Sequence, residues 1–170
     1  MLVRIALTIS FLCLVGIAVW ALNAVLAKEE DGFLRWRDPE VIATGQTLYA
    51  ANCAGCHGMP DGPAAQTVSV SGKAPPLHDE SGHTWQHPDY ALFRLVRDGI
   101  AVANCLPVNP ELMPKFKGVV SDTELVAILS YIKSTWPESV RRDHDQVNMM
   151  YRPYNRAVWD LIGADMGEPG

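Results

Sequence analysis

The chain has 170 residues, 48% of them hydrophobic and 19% charged, which is enough for one compact domain of ordinary size with residues to spare. Its formal net charge of −5 excludes nucleic acid as the natural partner, because phosphate binding needs a basic face. Twelve Pro and thirteen Gly point to short helices joined by irregular loops.

The first 27 residues carry one charge, Arg4. From Ile5 to Ala27 the only polar side chains are Thr8, Ser10 and Asn23, and as a helix this run spans roughly 35 Å, enough for a hydrocarbon core of about 30 Å. Arg4 precedes it and Lys28-Glu29-Glu30-Asp31 follows, so residues 1–27 read as a membrane anchor with the rest of the chain on the periplasmic side. The alternative is a signal peptide cleaved after Val25-Leu26-Ala27, although the apolar run is long for one; cleavage would leave a soluble periplasmic protein. Cys13 lies within the run and reads as a small hydrophobic residue. The exported part is acidic, with 13 basic and 19 acidic residues, and suits a basic or apolar docking partner.

Residues 28–37 read as a charged linker. Asp38 then suits an N-cap, Pro39 the first helical position and Glu40 the positive end of the dipole, which predicts a helix to about Tyr49. Residues 58–87 show no lasting period and read as loop. A second helix is signalled by Pro88-Asp89, by Ala91, Leu92, Leu95 and Val96 at helical spacing, and by Gly99 after its end. Ser121-Asp122-Thr123-Glu124 is a capping box that opens a third, with Leu125, Ile128, Leu129 and Ile132 as its apolar stripe and Trp136-Pro137 as its stop. No segment alternates convincingly as a strand, and there is no internal repeat. A core this modest implies a bound group that adds apolar surface.

Cys53-Ala54-Gly55-Cys56-His57 names that group. Two thiols three positions apart suit addition to the two vinyl groups of haem, and the adjacent His reaches the iron from the same turn. A zinc knuckle would need a second ligand pair, but the other cysteines are Cys13 and the solitary Cys105. A thioredoxin-like pair would need a βαβ pattern. A Cys53–Cys56 disulfide would close a strained loop and leave His57 unexplained.

With this motif, the helix before it and the capped helix after it, residues 38–137 resemble the class I cytochrome c domain, a family of single-haem electron carriers. The resemblance implies an all-α fold: a bundle of short helices wrapped around one covalent haem c, here with an N-terminal transmembrane helix added. Gly45 and Tyr49 resemble the family's pattern where the first helix crosses the last, and Tyr131 is the facing aromatic. Met113, just before Pro114 and the last helix, resembles the family's axial ligand opposite His57. A thioether there raises the potential and fills the sixth position. Cys105 is the rival ligand and would suggest sulfur oxidation. Lys73-Ala74-Pro75-Pro76-Leu77 resembles the loop whose proline carbonyl accepts a hydrogen bond from the proximal imidazole, with Pro75 as candidate. Trp85, within His83–His87, is a candidate donor to the haem propionates, and Arg94 and Arg97 could neutralise them.

Residues 138–170 form a C-terminal extension whose Met149, Met150, Tyr151, Tyr154, Val158, Trp159, Leu161 and Ile162 are too many apolar groups to stand in water. Packing back onto the domain is one reading and contact with a membrane complex or second subunit is another. The expected function is electron transfer without catalytic residues, to or from membrane respiratory complexes. The alternatives are the cytochrome subunit of a periplasmic dehydrogenase and a Cys-ligated sulfur-oxidising haem enzyme. A gas sensor would need an open sixth site.

Overall fold

The computed structural model describes residues 16, 31–62, 75–100 and 113–166, and divides the chain into Met1–Glu30 and Asp31–Gly170. The architecture below is that of the second unit. The expected anchor lies outside the described residues except for Gly16; among the described residues no helix is long and apolar enough to cross a membrane.

The described residues of this second unit form, in order, six helices: α1 (Pro39–Asn52), α2 (Ala54–His57), α3 (Asp89–Asp98), α4 (Asp122–Thr135), α5 (Glu138–Met150) and α6 (Arg152–Met166), with a 3₁₀ turn at Thr84–Gln86. The described residues contain no strand beyond an isolated bridge between Lys117 and Val120. Helix α1 starts as its sequence dictates. Asp38 Oδ1 accepts the amides of Glu40 at 3.0 Å and Val41 at 3.2 Å, which holds its carboxyl below the usual range. Helix α4 has the full capping box: Ser121 Oγ accepts the Glu124 amide at 3.2 Å, and Glu124 Oε2 accepts the Ser121 amide at 2.7 Å. Gly99, in the left-handed region at φ 68°, closes α3.

Helix α4 is the centre. Its sequence promises one apolar stripe, yet every residue from Leu125 to Lys133 is buried, because α1 crosses one side while α3 and α6 cover others. The α1–α4 crossing rests on Gly45, where a Cβ would lie 2.0 Å from the Ala127 carbonyl oxygen and 2.9 Å from Tyr131 Cβ. One turn on, Tyr49 is fully buried and meets Tyr131 edge-on at 5.5 Å.

One segment differs from expectation. Residues 31–37 are not a free linker: Phe33 and Leu34 are buried in the core, and both amides donate to Asp89 Oδ2, at 2.7 and 3.1 Å. Charged neighbours mask these two apolar residues in the sequence. The C-terminal extension packs back onto the domain as α5 and α6, one of the two readings of the sequence: Ile162 joins the core with Val140, Val158 and Trp159 against it, while Met149, Met150, Tyr154 and Leu161 are more than half exposed. A buried polar network centred on Asp89 adds to its hold. Asn148 Nδ2 donates to Asp89 Oδ1 at 3.0 Å and Asn148 Oδ1 accepts the Asp89 amide at 2.9 Å. Asn155 accepts the Tyr90 amide at 2.9 Å and donates to the Asp31 carbonyl at 2.7 Å. His144, with no exposed surface, turns Nε2 to the His87 carbonyl at 3.0 Å and to Asp89 Oδ1 at 3.3 Å. A carbonyl can only accept, so Nε2 carries the proton and Nδ1 faces the Asn148 amide. A network satisfied at nearly every atom fixes one arrangement rather than adding much net stability.

Two outcomes follow. Gly45→Ala forces backbone of α1 and α4 apart and should cost about 3 kcal/mol in chemical unfolding; a loss under about 1 kcal/mol would refute the close crossing. Burial lowers the His144 pKa to about 4 from 6.5, with Asp89 and Asp145 opposing and Lys133 assisting. As pH falls from about 6.5 towards 4, the unfolded chain takes up a proton that folded His144 refuses, so stability declines by about 3 kcal/mol in all. His144→Gln, which keeps a neutral donor, should flatten the pH dependence of unfolding by that amount, and an unchanged profile would contradict it.

Candidate haem-attachment site

The attachment motif sits where α1 ends and turns sharply into α2. Cys53 is the cap of α1, its amide bonded to the Tyr49 carbonyl at 2.8 Å, and its own carbonyl accepts the His57 amide at 2.9 Å. This single turn brings both thiols and the imidazole together. Cys53 is half-buried, Cys56 is exposed, both are free thiols, and the space around Gly55 is open. Burial, with Cys56 adding to it, pushes the Cys53 thiol up to about 11.

The turn is held from behind by the two tyrosines of the helix crossing. Tyr49 Oη donates to the Gly58 carbonyl at 2.7 Å, and Tyr131 Oη donates to Asp61 Oδ1 at 2.7 Å. Gly58, at φ 72° and ψ 175°, lets the chain leave the motif in a conformation nearly restricted to glycine. Thus the crossing that buries Tyr49 also fixes the exit from His57.

His57 is buried, and its Nδ1 lies 2.8 Å from the Pro76 carbonyl oxygen. A carbonyl can only accept, so Nδ1 carries the proton and Nε2 presents its lone pair. The expected partner was Pro75; the structure places the neighbouring Pro76 there instead, since successive carbonyls point in different directions. Burial lowers the His57 pKa against the opposing Pro76 bond, so the imidazole is neutral, as a metal ligand must be.

Trp85 also departs from expectation. Its indole N–H donates to the Gly82 carbonyl at 3.0 Å and so closes its own turn rather than facing a propionate. Arg97 is paired with Asp122 at 2.7 Å and with Asp98 at 3.0 Å. Arg94 is exposed on α3. Met113 is half-buried at the head of a segment tied to α3: the Phe116 and Lys117 amides donate to the Val96 and Arg97 carbonyls at 3.1 and 3.0 Å. Cys105 lies outside the described residues.

The sequence reading missed His78. Its ring stacks on His57 at 4.3 Å with 25° between planes, and Nδ1 meets Thr84 Oγ1 at 2.8 Å. Burial, with His57 and His83 adding to it, pushes its pKa down to about 3. The signal was faint: a His two residues after the proline that holds the proximal imidazole.

The donor set fits covalent haem. Two unpaired thiols and a neutral imidazole share one turn, Nε2 is set for iron by the Pro76 bond, and open space adjoins Gly55. Comparison with known proteins agrees with this chemistry. The model of the family described as cytochrome C oxidase, cbb3-type, subunit III matches residues 40–132, more than half of the chain. No curated protein and no solved structure matches it. From the motif, the helix crossing and this match together, the chain belongs to that family and is a class I c-type cytochrome, a haem-binding electron-transfer protein.

Proposed function

We propose that this protein is a single-haem electron carrier that moves electrons to or from membrane respiratory complexes, with no substrate chemistry of its own. The observation that carries this reading is the bond from His57 Nδ1 to the Pro76 carbonyl, on the turn that also presents Cys53 and Cys56. Cys53 and Cys56 would hold the haem as thioethers, the S–H of each adding across a vinyl double bond without an oxidant, and His57 Nε2 and the Met113 thioether would be the ligands of its iron. When bound, haem supplies an iron that gains and gives up one electron. Pro76 strengthens His57 as a ligand, while a neutral soft sulfur at Met113 favours the ferrous state and closes the sixth position to substrate. The acidic exported part suits a basic partner surface, and the family's description favours partners in a respiratory chain.

In this reading residues 5–27 anchor the chain in the cytoplasmic membrane, with the haem domain on the periplasmic side. A tether of this kind exchanges range of diffusion for high effective concentration near membrane partners. N-terminal sequencing of the mature protein should then begin at residue 1 or 2; a start at residue 28 would show a soluble periplasmic carrier instead.

The ligand assignment is tested by near-infrared absorption and potentiometry of the oxidised, haem-loaded chain. Met113→Ala should abolish the sulfur–iron charge-transfer band and lower the reduction potential, while Cys105→Ala should leave both unchanged. If Cys105→Ala alone alters the haem spectrum, the carrier reading falls and the Cys-ligated sulfur-oxidising alternative replaces it.

A further inference from the structure

The loop that carries Pro76 is short of internal structure. Between Pro76 and Pro88 its regular backbone amounts to the one 3₁₀ turn at Thr84–Gln86. What fixes it comes largely from the C-terminal helices. Trp136, at the end of α4, donates its indole N–H to the His78 carbonyl at 2.7 Å. His144, on α5, donates Nε2–H to the His87 carbonyl at 3.0 Å. These two rings are buried and touch edge-on, 5.1 Å apart at 74°. One rigid pair therefore clamps both ends of the loop, at positions 78 and 87. Inside the clamp, His78 Nδ1 is bonded to Thr84 Oγ1 and Trp85 closes on Gly82. The first clamped carbonyl is only two residues beyond the one that orients His57, and the ring of His78 lies against the His57 ring.

We propose that Trp136 and His144 are positioning residues for the haem centre: they hold the Pro76 carbonyl at hydrogen-bond distance from His57 and thereby help set the reduction potential. Helix α5 lies beyond the residues that the family model matches, so this is a role for the C-terminal extension itself. The inference rests on His57 being the proximal ligand. The physical link is the strength of the Pro76 bond. A short, well-aligned acceptor on Nδ1 makes the imidazole a stronger donor through Nε2 and stabilises ferric iron. Loosening the loop weakens that bond, makes His57 a poorer donor, and moves the potential upwards.

The test uses the full-length, haem-loaded chain near pH 7. Trp136→Phe keeps an aromatic ring in place and removes one N–H, leaving the His78 carbonyl without its donor. It should raise the reduction potential, shift the resonance of the His57 ring N–H, and speed that proton's exchange with solvent roughly fivefold, the order expected when one hydrogen bond is lost. Should Trp136→Phe not fold, His144→Phe makes the same test at the other end of the clamp, and His144→Gln, which restores a donor, should return the values towards wild type. Ser121→Ala separates positioning from general loosening. It removes the capping box at the far end of α4, away from the loop, and should lower stability while leaving the potential and the exchange rate unchanged. Unchanged values in Trp136→Phe and His144→Phe, or an equal shift in Ser121→Ala, would overturn the proposal. A failure of the underlying ligand reading looks different, because His57→Ala would then keep the wild-type haem spectrum.

Discussion

The contact of α1 with α4 at Gly45 is the constraint on which the rest of this fold depends. With no side chain there, the backbone of one helix lies against the Ala127 carbonyl of the other, and nothing larger than hydrogen fits between them. That approach brings Tyr49 onto Tyr131, and the two hydroxyls reach forward to Gly58 and Asp61, on the chain just past His57. A packing requirement deep in the core thus becomes a positional requirement at the attachment turn. Move the helices apart by the width of a methyl group and both hydroxyl bonds are disturbed.

A second scaffold, polar rather than apolar, joins the remaining pieces. Asp89 is fully buried and accepts hydrogen bonds from two amides of the 31–34 strap and from Asn148, while His144 stands beside it. A buried carboxylate is costly unless each lone pair is met, and here the neighbours meet them. Lys133, almost wholly buried on α4, is likewise paired with Asp145 of α5 at 2.6 Å. Such groups tolerate few alternative arrangements, and this explains how an extension with so much exposed apolar surface still docks in one place. Arg141 adds to the docking by donating to the Ser134 and Trp136 carbonyls at the end of α4, where the helix leaves them unmet.

What could be read in advance follows from how local the determining physics is. The starts of α1 and α4 and the end of α3 were legible because caps act within four residues: Asp38 on Val41, Ser121 on Glu124, Gly99 on Leu95. The attachment turn was legible because its chemistry is contiguous. The crossing at Gly45 was legible only through the family resemblance. The errors lie where the determinant is distant in sequence. Nothing local separates the Pro75 carbonyl from that of Pro76, and the loop's nearest tie beyond that bond, His78 to Trp136, comes from 58 residues on. Trp85 offered a free indole N–H until its own turn closed around it. The tail was read for its number of apolar groups, and Ile162, Val158 and Trp159 do reach the core, whereas its ties through Asn148, Asn155 and His144 use residue types that usually mark a solvated surface. Phe33 and Leu34 were hidden among charges, and their burial depends on Asp89.

The strap at residues 31–35 also has a bearing on the order in which the molecule assembles. Apart from the local pairing of Arg35 with Asp38, its partners come late in the chain: Asp89 for the amides of Phe33 and Leu34, Ser130 for the amide of Arg35, and Asn155 for the carbonyl of Asp31, across 124 positions. Synthesis runs from the N-terminus, so the first part of the folded unit to emerge is the last to find its place. Until α6 has emerged the strap has no complete seat, and contacts so remote in sequence form slowly even then. The backbone bonds of the turn that carries Cys53 and Cys56, by contrast, each span no more than four residues. Contacts close in sequence form ahead of remote ones, so the backbone of the attachment turn can close while the two ends of the structure are still open.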